Sequence, residues 1–362
     1  MTKAIIPVCL LLCAAAAVCL QVGRDEGRDQ EETRARAPSR QPVIGMNLSG
    51  AEYSWSSFAT HTDLDFLKVN GITLLRIPIS WEKAQRILNG PLSSSYIAGL
   101  EELLVAASQR RMHVIVDVHN YGRYNSSWAT AGNTGPGKGD IIGSAAVPVS
   151  AYANLWTRLA AALKGTPGLA YYDIMNEPHN MGGKTVWPRA AQAAVNAIRA
   201  VDTNTEILVE GDGWASASKW EVNNADLAIA DPADKLLYEA HCYFDDGSSR
   251  YLLSYAEQGA SPNRGVELVQ PFLSWLSERH ARGFLGEFAV PGNDPRWLAV
   301  LNSFLNAIQA AGVSGTYWVY VSHLSTDPPW WPVANSAFIR SDNGQANPQL
   351  PVLTNHNAAT RW

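Results

Sequence analysis

The stretch Leu169-Ala170-Tyr171-Tyr172-Asp173-Ile174-Met175-Asn176-Glu177-Pro178 is a short apolar run that stops abruptly in an amide, a carboxylate and a proline. Amphipathic stretches flank it, from Val149 to Lys164 and from Pro188 to Val201. A strand-length run between two helical patterns is one βα unit, and the fold depends on how often that unit recurs. Seven further runs have the same character: VIGMNLS from Val43, LLRIPIS from Leu74, HVIVDVHN from His113, EILVEGDGW from Glu206, LLYEAHCYF from Leu236, GFLGEFAV from Gly283 and GTYWVYV from Gly315.

Helical patterns lie between them. The stretch from Ser95 to Met112 puts Ile97, Leu100, Leu103, Leu104 and Ala107 on one stripe, and the stretches from Val266 to Arg282 and Asp294 to Ala311 behave alike. Several begin at Ser, Thr or Asp and end near Gly, as capping chemistry requires. The link from Ser216 to Asp231 is the weakest helical pattern. Alternating β and α units imply parallel strands joined by right-handed crossovers. Eight units in roughly 300 residues predict a single-domain α/β protein with a closed (β/α)8 TIM barrel rather than an open doubly wound sheet. No Gly-x-Gly-x-x-Gly or Walker loop follows the first run, which weighs against nucleotide binding.

The barrel is expected over residues 42–362. Residues 1–22 read as a signal peptide or N-terminal anchor, because Met1-Thr2-Lys3 precedes an apolar run from Ala4 to Leu20 that is short for a membrane span. Residues 23–41 read as a charged flexible linker, since Arg24 to Arg40 is almost devoid of large apolar side chains. The chain therefore reads as secreted, extracellular or periplasmic, with a retained membrane anchor as the alternative. Cys9, Cys13 and Cys19 fall in the leader, which leaves Cys242 alone in the body. One thiol builds neither a disulfide nor a cysteine metal site.

Of the 362 residues, 46% are hydrophobic and 17% charged, enough for a sizeable core. A net charge of −5 gives no electrostatic attraction to nucleic acid or an anionic membrane. The 13 Trp beside only 8 Phe suggest flat faces at a cleft, as in sugar stacking, because an indole N–H needs a partner when buried. The plainer reading is a large aromatic core.

Chemistry in a (β/α)8 barrel collects at the carboxyl ends of the strands. Those positions hold Asn47, Arg76, His119 with Asn120, Asn176 with Glu177, Asp212 with Trp214, His241 with Tyr243, Glu287 and Trp318. Residues two apart share a strand face, so His241 and Tyr243 point together, as do Asp117 and His119. Two carboxylates among hydrogen-bonding groups and aromatic faces suit glycosidic bond hydrolysis. That reaction needs one carboxyl protonated and the other ionised, so their environments must push the two pKa values apart. Arg76 is the natural partner of the ionised one.

The segments LLRIPI, VDVHNY, IMNEPH, HCYFD, LGEF and YW resemble, in order, the motifs of glycoside hydrolase family 5, from Val43 to Trp331. The resemblance implies a barrel that hydrolyses β-linked glucans or mannans with retention of anomeric configuration. Residue by residue, it implies Glu177 as acid/base, Glu287 as nucleophile and Asn176 as the ligand of the sugar 2-hydroxyl. Arg76 and Tyr243 would hold and polarise Glu287, His119 and His241 would line the same subsite, and Trp318 would be the platform beneath the sugar. Asn120 is grouped with these substrate-binding and supporting residues. Retention also implies carboxyl groups about 5–5.5 Å apart.

GMNLSGAEY, VDVHNYGRY and NEPHN look most like endo-β-1,4-glucanases, the cellulases, so internal β-1,4-glucosidic bonds of cellulose or related β-glucans are the expected target. The segment VYVSHLSTDPPWWPVANS after Trp318 follows no pattern of the family, which leaves β-mannan, β-1,3-glucan or another cell-wall glycan as alternatives. Trp330 and Trp331 in that segment are either further sugar platforms or fasteners of the loop. No metal or cofactor is expected, since His119, His241 and Asp117 lack dense ligand spacing. The expected partner is the polysaccharide, with no nucleic acid and no obligatory protein partner, and the chain is expected to act as a monomer.

The structural alternatives are a turn cap for Glu177 and a plain ion-pair partner of Arg76 for Glu287. Both would have to hold at once, against six ordered motifs. Glu52, Asp117, Asp173, Glu210, Asp212, Asp245 and Asp246 are the competing carboxylates, of which Asp117 and Asp173 sit early in their strands and read as satisfying buried polar neighbours. A non-catalytic carbohydrate-binding barrel would require loss of a catalytic carboxylate, and both are present.

Overall fold

In the computed structural model, which describes Met1 and residues 41–53, 58–126, 137–247, 249–321, 339 and 347–357, the eight apolar runs become eight strands. They are β1 (Ile44–Leu48), β2 (Leu74–Ile79), β3 (His113–Val118), β4 (Leu169–Asp173), β5 (Glu206–Glu210), β6 (Leu236–His241), β7 (Gly283–Phe288) and β8 (Ser314–Tyr320). Each pairs in parallel with its sequence neighbours, and β1 closes the barrel on β8 with Ile44 opposite Gly315. The fold is the (β/α)8 barrel. Residues 41–362 form one compact unit. The leader and linker expected before it lie outside the described residues.

The outer ring is α1 (His61–Val69), α2 (Ser94–Gln109), α3 (Val149–Leu163), α4 (Val186–Arg199), α5 (Trp220–Asn224), α6 (Arg264–Glu278), α7 (Pro295–Ala310) and α8 (Gln349–Asn357). Ile97, Leu100, Leu103, Leu104 and Ala107 form the buried stripe of α2, as the spacing requires. Thr60 and Asp63 close a capping box on α1, and Asp294 caps α7 ahead of Pro295. The helix expected to reach Arg282 ends at Glu278, because His280 turns to φ 50° and Gly283 already opens β7. The weak pattern after β5 becomes a 3-10 turn, Ala217–Lys219, followed by the five-residue α5. Among the described residues no helix is long and apolar enough to cross a membrane.

Period two along the strands sorts the side chains into two cores. Leu75, Ile77 and Ile79 of β2, Val114, Val116 and Val118 of β3, and Ile207 and Val209 of β5 face the helices in one large cluster. Their neighbours face the barrel axis, where Val43, Leu74, Ile115, Leu208, Leu237 and Phe284 form a small apolar plug, with Tyr171 packed against it. Two residues further along, the inward positions turn charged: Arg76, Asp117, Asp173, Glu210 and Glu239, all fully buried. The barrel is thus filled in layers, an apolar floor beneath a layer of ionisable side chains.

Most tryptophans serve the core, contrary to the cleft-lining expectation. Trp81, Trp156, Trp187, Trp220, Trp275 and Trp297 are buried in it, six of the eight among the described residues. Backbone carbonyls satisfy several indoles: Trp156 donates to Ile174 at 3.1 Å, Trp187 to Glu210 at 2.7 Å and Trp275 to Ala225 at 3.1 Å. The first two of these fasten strand ends that carry the site.

At the closing seam, Asn357 of α8 receives the Ile44 N–H at 2.9 Å and donates to the Ile44 carbonyl at 2.7 Å. One side-chain amide thereby stands in for a neighbouring strand at the start of β1.

Candidate active site

Glu287 reaches the barrel axis because of an irregularity in β7. Plain alternation from Phe284 would point Gly286 inward and Glu287 toward the helices. Between β6 and β7, however, the register slips, with Ala240 opposite Leu285 and His241 opposite Glu287. The extra residue is Gly286, and such a bulge re-aims the side chain that follows it. Only glycine fits there, since a Cβ at 286 would stand 1.8 Å from Glu239 Oε1 and 2.8 Å from His241 Nε2.

Arg76 is the hub of the charged layer. It donates to Asp173 at 2.8 Å, to Glu287 Oε1 and Asn47 Oδ1 at 3.1 Å, and to Asn176 Oδ1 and Glu210 Oε1 at 3.0 Å. Asp117 lies 3.1 Å from it and Glu239 3.5 Å. A fully buried guanidinium among five carboxylates stays charged, because those negative charges outweigh the cost of its burial. One or two positive charges cannot neutralise this many acids, so burial keeps protons on part of the set: Asp117 and Glu239 are pushed well above the ordinary carboxylate range.

The two strand-end glutamates differ in environment. Burial alone would raise the pKa of Glu287, but His241, Arg76, His119 and the Tyr243 hydroxyl, which donates to Oε2 at 2.5 Å, together hold it below the usual value. Glu177 is raised, first by burial and then by the negative charges of Glu287 and Glu210, with His241 pulling the other way. The site therefore drives the two pKa values apart, Glu287 downward and Glu177 upward.

His241 stands between them. Its Nδ1–H donates to Glu177 Oε1 at 2.8 Å and lies 3.6 Å from Glu287 Oε2. Its Nε2 is 3.2 Å from Glu210 Oε1, a charge contact without hydrogen-bond alignment. Burial opposes a charged imidazole, yet Glu210, Glu287 and the bond to Glu177 raise it well above the ordinary histidine range. Around this ring, oxygens of Glu177 and Glu287 lie within 4.8 Å of one another.

Two aromatic walls flank the pair. Trp318 stacks on His119 with centroids 5.6 Å apart, and His119 Nδ1 is joined to Asp117 Oδ2 at 2.7 Å. Trp214 lies flat on His179 with centroids 3.4 Å apart, and Tyr121 meets both edge-on and also meets His119 at 5.2 Å, so it joins the two groups. Trp214 is 48% exposed, an open indole face in the loop after β5. His179, lowered to about 4 mainly by burial, is neutral and donates Nδ1–H to the Glu177 carbonyl at 2.9 Å.

The structure thus gathers Arg76, His119, Asn176, Glu177, His241, Tyr243, Glu287 and Trp318 at one end of the barrel. Asn120 is the exception among the described candidates. It is fully buried, donates to Glu82 at 2.8 and 2.9 Å, accepts from Trp81 N at 2.7 Å, and so holds loops together rather than facing the glutamates. Trp330 and Trp331 lie outside the described residues. Asp117 and Asp173 are buried partners of Arg76, as their early strand positions imply. Glu239 also joins the site without being a candidate in the sequence, although Leu237, Glu239 and His241 share one strand face, and Glu210 is there only one carboxylate among several. His179 and Trp214 also join the site, and exposure rather than sequence singles out Trp214.

Among the described residues two clusters have the density of metal ligands, Glu177-His241-Glu287 and Glu210-Glu239-His241. The donors of the first are already spent on each other, on Arg76 and on Tyr243. A cation in the second would face the Arg76 guanidinium, 3.0 Å from Glu210 and 3.5 Å from Glu239.

Known proteins share this chain's sequence and architecture. The family model described as cellulase (glycosyl hydrolase family 5) matches residues 37–323. Endo-beta-1,4-glucanase B of Aspergillus niger is 32% identical over 297 residues, covering 79% of this chain and 81% of its own length. The endoglucanase Cel5A of Pseudomonas stutzeri, solved in complex with cellobiose, superposes with a TM-score of 0.76 at 37% identity over 87% of this chain and 92% of its own. The endo-beta-1,4-glucanase Xac0029 of Xanthomonas axonopodis pv. citri gives 0.74 at 29% identity over 87% and 98%. With a barrel of this topology and two glutamates at its strand ends, the chain belongs to glycosyl hydrolase family 5, the cellulase family.

Proposed function

We propose that this protein is a retaining endo-β-1,4-glucanase that cleaves internal bonds of cellulose or related β-glucans by double displacement. The observation that carries the mechanism is the arrangement around His241: an acid with raised pKa and a carboxylate with lowered pKa, their oxygens within 4.8 Å. Inverting enzymes hold their carboxyls farther apart to admit a water, about 6.5–9.5 Å. The relatives named above as endo-β-1,4-glucanases support the choice of substrate.

In the first step Glu287 attacks the anomeric carbon while Glu177 gives its proton to the departing glycosidic oxygen. Arg76 and Tyr243 aim the attacking carboxylate. Asn176, whose Oδ1 is fixed by Arg76, keeps an Nδ2 with no hydrogen-bond partner among the described residues, a free donor for the sugar 2-hydroxyl. Esterification of Glu287 removes one of the negative charges that raise Glu177, while His241 stays beside it. Glu177 then loses its proton more readily and serves as the base that activates water in the second step. Trp318 and Trp214 provide stacking faces for sugar rings on the two sides of the cut.

The substrate is a polymer too large to cross a membrane, so the chain acts outside the cytoplasm, in keeping with the leader pattern of residues 1–22. Activity on a polysaccharide panel tests the substrate. Carboxymethylcellulose and mixed-linkage β-glucan should lose viscosity well before reducing ends accumulate, the sign of internal cuts. Release confined to β-mannan or β-1,3-glucan, with cellulose derivatives untouched, would overturn it.

A further inference from the structure

Glu210, at the end of β5, belongs to none of the roles above, yet it touches every part of the proton-donating half of the site. Its Oε2 accepts the Glu177 N–H at 2.6 Å. Its Oε1 accepts from Arg76 at 3.0 Å and lies 3.2 Å from His241 Nε2. Its own backbone is anchored, since Trp187 donates to its carbonyl at 2.7 Å. The side chain is fully buried.

The contact with Glu177 is made where the backbone most needs it. Glu177 has φ 43°, the left-handed region that a residue with a Cβ adopts only when its surroundings hold it there. Its two peptide groups are both held, the N–H by Glu210 and the carbonyl by His179. Its carboxyl is held by His241, which faces Glu210 through its other nitrogen. Glu210 therefore reaches Glu177 by two routes, directly through the backbone and indirectly through the imidazole.

We propose that Glu210 is a positioning residue for proton donation, fixing the left-handed backbone of Glu177 and bracing His241 so that the acid carboxyl points at the departing oxygen. The inference rests on Glu177 being the proton donor. An amide in place of Glu210 cannot reproduce both halves of this arrangement. If its oxygen keeps the Glu177 N–H, its NH2 confronts Arg76 and His241, which are donors themselves. Alanine loses both contacts.

The test compares wild type, Glu210→Ala, Glu210→Gln and Glu177→Ala on two substrates. One is an unactivated cello-oligosaccharide, whose departing oxygen needs a proton. The other is 2,4-dinitrophenyl β-cellobioside, whose phenolate leaves without one. Glu210→Ala should lose about a hundredfold in kcat/KM on the oligosaccharide and about threefold or less on the aryl glycoside, because misplacing an acid harms only the step that uses it. Glu210→Gln, which keeps an acceptor for the Glu177 N–H, should recover part of that selective loss, and it carries the comparison if the alanine variant does not fold. In a Glu177→Ala background the same Gln substitution should add about twofold or less, since its target is gone.

Equal losses on both substrates, or a full additional loss in the Glu177→Ala background, would overturn the positioning role. A Glu177→Ala enzyme equally impaired on both substrates would instead remove the donor assignment, and the role of Glu210 with it.

Discussion

Tyr243 donates its hydroxyl to Glu287 Oε2 at 2.5 Å, on the side opposite the Arg76 contact to Oε1. Glu287 must be ionised to attack, and this bond is one of the influences that lower its pKa. Tyr243→Phe should therefore raise that pKa and move the acid limb of the kcat/KM profile to higher pH. It should leave the basic limb nearly in place and cost about tenfold in rate at the optimum. A pH profile of the variant checks both limbs at once.

His241 acts on both glutamates, so its loss should have a different signature. A charged imidazole lowers Glu287 and lowers Glu177. His241→Asn should raise both pKa values, and with them both limbs: Glu287 needs a higher pH to ionise, and Glu177 keeps its proton to a higher pH. A bell displaced upward as a whole, on a reduced maximum, is the expected profile. Movement of one limb alone would contradict this electrostatic account.

Gly286 makes room for Glu239. Gly286→Ala should destabilise the barrel by about 1–3 kcal/mol, as overpacking in a dense core does, and should lower activity by shifting Glu287. Adding Glu239→Ala removes the atom nearest the new methyl, at 1.8 Å. Thermal melts of the single and double variants should then show recovery of stability.

Asn357 supports the fold rather than the chemistry. Replacing it with Ala leaves both Ile44 peptide groups without their side-chain partner at the barrel seam. The expected loss is about 2 kcal/mol or more in denaturant unfolding. The specific activity of the folded protein should be unchanged well below its melting temperature.

Much of this molecule is legible in its sequence because parallel strands must be buried on both faces. That requirement leaves eight near-continuous apolar runs, each ending where polar residues first become tolerable. The Asn176-Glu177-Pro178 stop and the Glu287 stop stand out for that reason. The inner charged layer is less legible. Glu210 and Glu239 sit inside apolar runs, where a carboxylate is costly unless something answers it, and Arg76 of β2 and His241 at the end of β6 do so. The bulge at Gly286 is hidden as well: strict alternation would have sent Glu287 toward the helices, and only pairing with β6 shows it turned inward. The surplus of tryptophan pointed at a cleft, yet most of the described indoles fill the space between barrel and helices, where backbone carbonyls satisfy their N–H groups.

The central claim is that Glu287 becomes covalently bound to the sugar. Incubation with 2,4-dinitrophenyl 2-deoxy-2-fluoro-β-cellobioside tests it directly, because the good leaving group permits attack while the fluorine slows release. The account predicts a single added fluorocellobiosyl group by intact mass, assigned by peptide fragmentation to Glu287 within Gly283–Phe288, and no label on the Glu287→Gln variant. Label on Glu177 or on another residue, or turnover that releases the inverted α-anomer with no adduct, would contradict it.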